Sequence, residues 1–161
     1  MNVLIDLLQH ESFEVREGAT LGVGLVCCMG TDPRDDLPLN VLMTSLSAPL
    51  SKADSQTNQL FSASILALAL AYPGTQKQEI LPFLIKGIIE GSFETMGVSS
   101  LAGGLIFAGS RNLELIDAMK VRLAEINESN ESNLSSLLLG FGLSLLYTVS
   151  LVPRLSPRIK R

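Results

Sequence analysis

The chain has 161 residues, enough for one domain with a sizeable buried core; 47% of them are hydrophobic and only 17% are charged. This composition excludes a disordered chain. The formal net charge is −4, and four basic residues are gathered in the last eight positions, which argues against nucleic acid as a partner of the rest of the chain. Residues 1–18 carry charges where a secretory signal needs an unbroken apolar run, so we expect no such signal there.

The first apolar segment, residues 18–31, ends in a Gly-Thr pair and includes the adjacent Cys27 and Cys28. These cysteines have no CxxC partner and no histidine nearby. The sequence therefore predicts neither a zinc site nor a redox pair, but two reduced thiols in the core. His10 is the only histidine in the sequence. A histidine-based metal site or catalytic triad is thus disfavoured, and we expect His10 at the surface between the first two helices.

An amphipathic segment, residues 37–46, follows, and the polar, proline-containing residues 47–58 are typical of a surface loop. After this loop the same pattern returns twice, with turns at Gly74 and Gly109 that are 35 residues apart. In each copy a run of small and apolar residues ends in an aromatic residue, and a segment with apolar residues three and four apart comes after the turn. We expect each copy to be a pair of helices, formed by residues 62–72 and 78–91, then by residues 99–107 and 113–126.

A fourth copy of the apolar segment lies within residues 134–152, which carry no charge over about the length of a bilayer crossing. Taken alone, this segment would suit a membrane anchor. The earlier apolar runs have the same small-residue texture, are too short to span a bilayer and alternate with charged segments. That alternation favours a buried helix within a helical array.

A period in this range predicts an all-α fold, an α-solenoid in which each helical pair buries its apolar face against its neighbours. We assign residues 1–152 to about four such repeats, the last one incomplete, and residues 153–161 to a basic, proline-containing tail that we expect to be disordered. Glycine costs up to about 1 kcal/mol relative to alanine inside a helix. Six glycines of the apolar runs are therefore expected at close contacts between helix backbones: Gly22, Gly24, Gly103, Gly104, Gly140 and Gly142.

The turns inside the repeats carry predictions of their own. Gly74 and Gly109 stand where the C-terminus of a helix favours a left-handed residue, and Thr75 and Ser110 are predicted to cap the helix that follows. The aromatic residue that ends each apolar run is predicted to be buried, because small side chains leave a gap there.

Three stretches at a spacing in the mid-thirties, "SILALALAYPGTQKQEIL", "SSLAGGLIFAGSRN" and "LLLGFGLSLLY", resemble the proteasome/cyclosome repeat. This family includes the two largest non-ATPase subunits of the 26S proteasome regulatory particle and the largest subunit of the anaphase-promoting complex. The resemblance covers about residues 11–147 and is strongest to the toroid of the proteasome subunit that serves as a docking platform. It implies a ring-shaped solenoid of which this chain would supply a part.

The resemblance also implies candidate binding residues. Family members bind ubiquitin chains and the ubiquitin-like domains of shuttle factors on an outer helix, through acidic residues that follow a Gly-Ser/Thr-x-Asn turn. Here the matching turn is residues 109–112, and the three acidic positions fall on Glu114, Val121 and Glu125. Val121 departs from the pattern, and Asp117, one helical turn after Glu114, is predicted to supply the missing charge. The candidate ubiquitin-like-binding residues are thus Glu114, Asp117 and Glu125; the alternative is that these acids only solvate an outer helix.

Motifs for catalysis are missing from the sequence, which contains no GxSxG, P-loop, GxGxxG or HExxH pattern. We therefore expect a protein that is not an enzyme and that uses no cofactor and no metal. Four cations are expected to be scattered charges on helix faces: Lys77, Lys86, Lys120 and Arg122.

The family resemblance implies a non-catalytic scaffold subunit of the proteasome regulatory particle, located in the cytoplasm and nucleus. Its expected partners are the ATPase ring, other regulatory-particle subunits, and ubiquitin or ubiquitin-like domains. Two alternatives stay open at this point. One is a related repeat scaffold without ubiquitin binding, either the second large non-ATPase subunit or the anaphase-promoting complex subunit. The other is a small membrane protein anchored by residues 134–152.

Overall fold

The structure is a computed structural model that describes residues 2–30, 36–50, 54–129 and 134–148. Within these ranges the chain forms eight α-helices and no strand. A single 3-10 turn, Gln78–Ile80, leads into the fifth helix. The helices are α1 (Asn2–Leu7), α2 (Phe13–Gly30), α3 (Leu37–Ser47), α4 (Ser55–Ala71), α5 (Leu81–Glu90), α6 (Phe93–Ile106), α7 (Leu113–Ser129) and α8 (Leu134–Tyr147).

The helices pack in two layers. Helices α2, α4, α6 and α8 each contact the next in the series and form one row, which we call the A layer. Helices α3, α5 and α7 form a second row, the B layer, which packs against the A helices on one side, while α1 packs on α2. The buried apolar side chains lie between the two rows in one continuous cluster. A series of helical pairs with its core between two layers is an all-α solenoid, so the predicted fold class is confirmed.

Small residues bring the A helices into backbone contact. A Cβ atom at Gly142 would lie 2.1 Å from the carbonyl oxygen of Ser100, and one at Gly104 would lie 2.6 Å from the carbonyl oxygen of Gly142. At Gly24 the nearest atom would be the Cα of Ala67, 2.5 Å away. Because these neighbours are backbone atoms, the helices could accept a side chain only by moving apart.

The prediction of close contact is wrong for the other three glycines of the apolar runs. A Cβ at Gly22 would meet only the side chain of Leu4, at 3.2 Å, and one at Gly103 would make ordinary contacts of 3.5 Å or more. Gly140 has no atom within 4 Å of such a Cβ, because it lies on the exposed face of α8. The glycine pattern in the sequence thus overstates the number of close approaches.

The two repeat turns have the same backbone conformation. Gly74 and Gly109 have φ values of 69° and 71°, which confirms the predicted left-handed glycines, and Gln76 and Arg111 follow with φ values of 56° and 54°. The aromatic residue before each turn is buried, as predicted: Tyr72 is 1% exposed and Phe107 is 0% exposed.

Each turn is tied to the next A helix by two backbone hydrogen bonds. Gly74 N donates to Leu105 O at 2.9 Å and Gln76 N to Ile106 O at 3.0 Å, both at the C-terminus of α6. The following turn repeats the arrangement: Gly109 N donates to Leu145 O at 3.0 Å, and Arg111 N to Leu146 O at 3.2 Å. Helix ends leave carbonyl groups without intrahelical partners, so these bonds satisfy them and fix the register between repeats.

Three of the four cations predicted to be scattered, Lys77, Lys86 and Arg122, make specific contacts between elements, which corrects that prediction. Lys86 Nζ donates to the carbonyl oxygens of Leu46 and Ala48, at 3.1 and 2.6 Å, and so binds the C-terminus of α3. Lys77 pairs with Asp36 and lies 4.4 Å from the ring centroid of Tyr72.

The predictions for the cysteine pair and for the loop at residues 47–58 need correction, and the prediction for His10 is confirmed. Cys27 is buried but Cys28 is exposed, because adjacent helical residues point about 100° apart and only one of them can face the core. The predicted loop 47–58 ends early, since Asp54 caps α4 and the helix begins at Ser55. His10 is exposed between α1 and α2, as predicted.

The charge-free segment that suits a membrane anchor forms α8, which ends at Tyr147. None of the helices that the structure describes has the length and apolarity needed to cross a membrane. The predicted domain boundary at residue 152 and the predicted disorder of residues 153–161 lie outside the described residues.

Candidate functional site

Helix α7 carries the candidate residues, and its N-terminus is shaped by the turn that precedes it. The side-chain Oγ of Ser110 accepts a hydrogen bond from Asn112 N at 3.2 Å, and the Asn112 side-chain Oδ1 accepts one from Leu115 N at 3.1 Å. Asn112 is therefore the cap of α7, and the prediction that Ser110 caps it is wrong. In the other turn Thr75 Oγ1 donates back to Tyr72 O at 2.9 Å, so Thr75 does not cap either.

One face of α7 is anchored in the core and the opposite face is exposed. Its apolar anchors are at most 8% exposed: Leu115, Ile116, Ala118, Met119 and Ile126. The exposed face presents Glu114, Asp117, Val121 and Glu125, which we call the acidic row. Their spacing of three, four and four residues places them along one stripe about 16 Å long. The structure thus brings all three predicted acids together, with Val121 between them and 55% exposed.

Two of the three acids already have a basic partner on the same helix. Asp117 Oδ1 lies 3.8 Å from Lys120 Nζ, with both side chains largely exposed at 73% and 60%. Glu125 pairs with Arg122, and its own side chain is 52% exposed. Glu114 makes no ion pair within the described part of the chain. The exposed pair of Asp117 with Lys120 is worth little and exchanges easily. Glu125 pairs with a buried arginine but keeps half of its own side chain exposed, so these carboxylates remain accessible to a partner.

Arg122 was predicted to be a scattered surface charge, and the structure contradicts this. Its side chain is only 4% exposed, it pairs with Glu125, and its guanidinium lies 5.5 Å from the ring centroid of Phe93 on α6. The repeat offset of 35 residues offers a signal for this difference, because position 122 corresponds to Gly87, which is buried in α5. Arginine therefore fills a B-layer position that the previous repeat leaves to glycine.

The previous repeat presents a similar but different surface on α5 and the 3-10 turn before it. Glu79 and Glu90, which correspond to Glu114 and Glu125, are both exposed. Val121 corresponds to Lys86, whose ammonium group is bound to the C-terminus of α3. The position of Val121, apolar and exposed on α7, is thus held by a bound lysine in the previous repeat.

This architecture defines a class of protein: a helical-repeat segment whose outer helices carry charged surfaces. Among the described residues no cluster of His, Cys, Asp or Glu side chains could hold a metal ion. Repeat solenoids commonly use such extended outer surfaces to contact other macromolecules.

Comparison with known proteins narrows this class. The chain is 36% identical, over 143 residues, to the 26S proteasome regulatory subunit rpn-1 of Neurospora crassa. The match takes in 85% of this chain but only 15% of that relative, so the chain spans a small part of the relative's length. No protein-family model matches the chain. The predicted resemblance to a proteasome repeat protein is confirmed by this relationship.

Proposed function

We propose that the chain is a segment of a non-catalytic scaffold subunit of the 26S proteasome regulatory particle, and that its acidic row docks ubiquitin and ubiquitin-like domains. The related Neurospora protein is a regulatory subunit by name, which supports a scaffold in the same assembly. Other regulatory-particle subunits and the ATPase ring are the partners that such a scaffold would contact, in the cytoplasm and nucleus.

The observation that carries the docking proposal is the acidic row itself. Glu114, Asp117 and Glu125 share one exposed stripe of a helix whose other face is fixed in the core. A rigid helix presents its side chains without a large loss of conformational entropy on binding. Val121, 55% exposed, and Leu113, 71% exposed, add apolar area beside the carboxylates.

This chemistry suits a partner with an apolar patch and a basic rim, and the family resemblance implies that ubiquitin, whose apolar patch has such a rim, is that partner. The partner's apolar patch would cover Val121, and lysine or arginine side chains at its rim would meet Glu114 and Asp117. Rim charges mainly speed association and are screened by salt. We therefore expect weak binding that weakens further as salt is added.

The experiment that tests the proposal is a titration of isotope-labelled ubiquitin with the full chain, followed by NMR chemical shifts. Replacing Glu114→Lys and Asp117→Lys together should abolish the shifts, because both rim contacts become repulsive. The matched control is Glu79→Lys with Glu90→Lys, which changes the net charge equally one repeat earlier and should leave the shifts intact. Equal loss in both variants would mean that general negative charge attracts ubiquitin. An unmutated chain that gives no shifts would refute docking and leave the scaffold role.

The departure at Val121 allows a second measurement. Val121→Glu restores the third acid of the family pattern and should tighten binding by about threefold, in line with the modest value of one exposed charge contact. A fall in affinity would show that the apolar contact at this position matters more than the charge.

A further inference from the structure

The free face of the A layer, on the side away from the B helices, contains an open trough. A cavity of about 470 Å³ lies across the first turns of α4, between α2 and α6. It is lined by Glu17 and Leu21 of α2, Ser62 and Leu66 of α4, and Glu94 and Val98 of α6. A second cavity of about 470 Å³ shares Glu94 and Val98 and extends to Leu134 and Leu138 of α8. Together they form one trough that crosses four helices.

The position of the trough follows from the helical periodicity of α4. Phe61 of α4 faces the B layer, because a Cβ at Gly87 of α5 would lie 2.8 Å from its ring. Ser62 and Leu66 lie on the other side of α4 and line the trough. The trough and the acidic row are therefore different surfaces, and the trough approaches α7 only at Phe93, which packs on Arg122.

The trough has an apolar floor with a carboxylate on each side. Leu21, Leu66 and Val98 supply the apolar part, and no lysine, arginine or histidine is among the described residues that line either cavity. Glu17 and Glu94 belong to α2 and α6, so the width of α4 separates them. Neither carboxylate makes an ion pair within the described part of the chain.

Helix-end electrostatics does not account for both acids. Glu94 lies in the first turn of α6, where a negative charge favours the helix dipole. Glu17 comes after the first turn of α2, whose acidic residue is Glu14. A carboxylate at Glu17 therefore lies beyond the turn where the helix end favours negative charge.

Phe93 forms a wall shared by the two cavities and is held in place from the B layer. The Arg122 guanidinium lies 5.5 Å from the Phe93 ring centroid and is fixed in turn by Glu125. Phe93 keeps 38% of its surface exposed, so one face of the ring is available to a bound group.

We propose that this trough binds a basic amphipathic segment of a partner protein, one that places apolar side chains on the floor and lysine or arginine beside Glu17 and Glu94. Charge complementarity selects this occupant, since an acidic segment would meet two carboxylates without a compensating cation. Helical solenoids commonly bind partners along extended surfaces that cross several repeats, as this trough does. The inference concerns a different face from the acidic row and does not depend on ubiquitin binding.

The test is calorimetric titration of the full chain with a synthetic 14-residue peptide that has leucine at helical spacing and lysine elsewhere. A matched peptide with glutamate in place of lysine should not bind. Glu17→Gln with Glu94→Gln should weaken the lysine peptide by about three- to tenfold, as expected for two exposed charge contacts. Both positions are at the surface edge of the trough, so the variant should unfold at the same temperature as the parent chain.

The control variant is Glu79→Gln with Glu114→Gln, which removes the same charge at two exposed positions that do not line the trough and should change the affinity less than twofold. Equal weakening by both variants, or binding of the glutamate peptide, would overturn the proposal. The binding face is checked by NMR of the isotope-labelled chain with the lysine peptide. Amide shifts centred on Leu137 and Phe141, which are exposed on α8, would also overturn the proposal, because the peptide would then cover another apolar face.

The chain's own basic tail is a competing occupant, since residues 149–161 contain apolar and basic side chains. Deleting these residues should leave the peptide affinity unchanged if the trough serves a partner. A gain of more than tenfold on deletion would identify the tail as the occupant and would refute a partner site.

Discussion

In the A layer, neighbouring helices touch through backbone atoms, as at Gly104 and Gly142, whereas the B helices make their described links through long side chains. Lys86 crosses from α5 to the last carbonyl groups of α3 in the same layer, and Arg122 reaches from α7 to Phe93 of α6 in the A layer. Backbone contact fixes the spacing of the A helices to within the size of an atom. Long side chains leave more freedom, because they can bend.

The difference explains where the repeats are alike and where they differ. The two turns share their φ values and their hydrogen bonds to the next A helix, so the geometry that sets the repeat is the same in both. The outer helices differ: Gly87 corresponds to Arg122, and Lys86 corresponds to Val121. Surface chemistry can thus change in the B layer while the A layer keeps the register.

The largest expected effect comes from a side chain at the closest A-layer contact. Gly142→Ala would place a Cβ 2.1 Å from the Ser100 carbonyl oxygen, so α6 and α8 would have to separate. We expect the free energy of unfolding to fall by about 3 kcal/mol or more, measured by chemical denaturation.

Gly140→Ala is the matched control on the same helix, since a Cβ there meets no atom within 4 Å. Alanine favours a helix over glycine, so this variant should be more stable by about 0.5 to 1 kcal/mol. If both substitutions had the same effect, backbone contact would not set the spacing of the A layer.

A smaller effect is expected in the B layer from Lys86→Met. The change removes two charged hydrogen bonds to α3 and keeps most of the apolar stem. Because hydrogen bonds from a charged donor are strong, we expect the free energy of unfolding to fall by about 2 kcal/mol, measured by chemical denaturation. Lys120→Met, at a position whose side chain is 60% exposed, should stay within about 0.5 kcal/mol of the parent chain. A loss at Lys120 as large as that at Lys86 would contradict the link between α5 and α3.

The smallest effect concerns how the A helices begin. Hydrogen bonds from the side chain and then the backbone of Thr57 lower the pKa of Asp54 below its ordinary value of 3.8. A lowered pKa stabilises the folded chain fully above pH 3.8, and this contribution is lost as the pH falls through the folded-state value. Asp54→Asn keeps a capping side chain and should lose only this acid-dependent part. The parent chain and Asp54→Asn should be compared by thermal unfolding between about pH 2 and pH 6. Their unfolding temperatures should differ at the higher pH and converge as the pH falls.

The repeat and its turns could be predicted from the sequence, because a glycine at each helix end and the 35-residue offset between the copies can be recognised without knowing the packing. The sequence was also sufficient to place Glu114, Asp117 and Glu125 on one stripe of α7. The roles of Lys77 and Lys86 could not be predicted, since each depends on a carboxylate or helix end of the preceding repeat. For Arg122 the offset from Gly87 marks a difference, but the ring of Phe93 is found only from the packing of α7 on α6. The trough could not be predicted either, because Glu17 and Glu94 come together only through the packing of α2, α4 and α6.

The two faces of the solenoid can be compared directly by mapping ubiquitin on the isotope-labelled chain. Addition of unlabelled ubiquitin should shift the amide signals of Glu114, Asp117, Val121 and Glu125 and leave those lining the trough unchanged. This pattern would place docking on the acidic row of the B layer. Shifts at the trough with none on α7 would contradict the account, because ubiquitin would then bind the face that we assign to a basic segment.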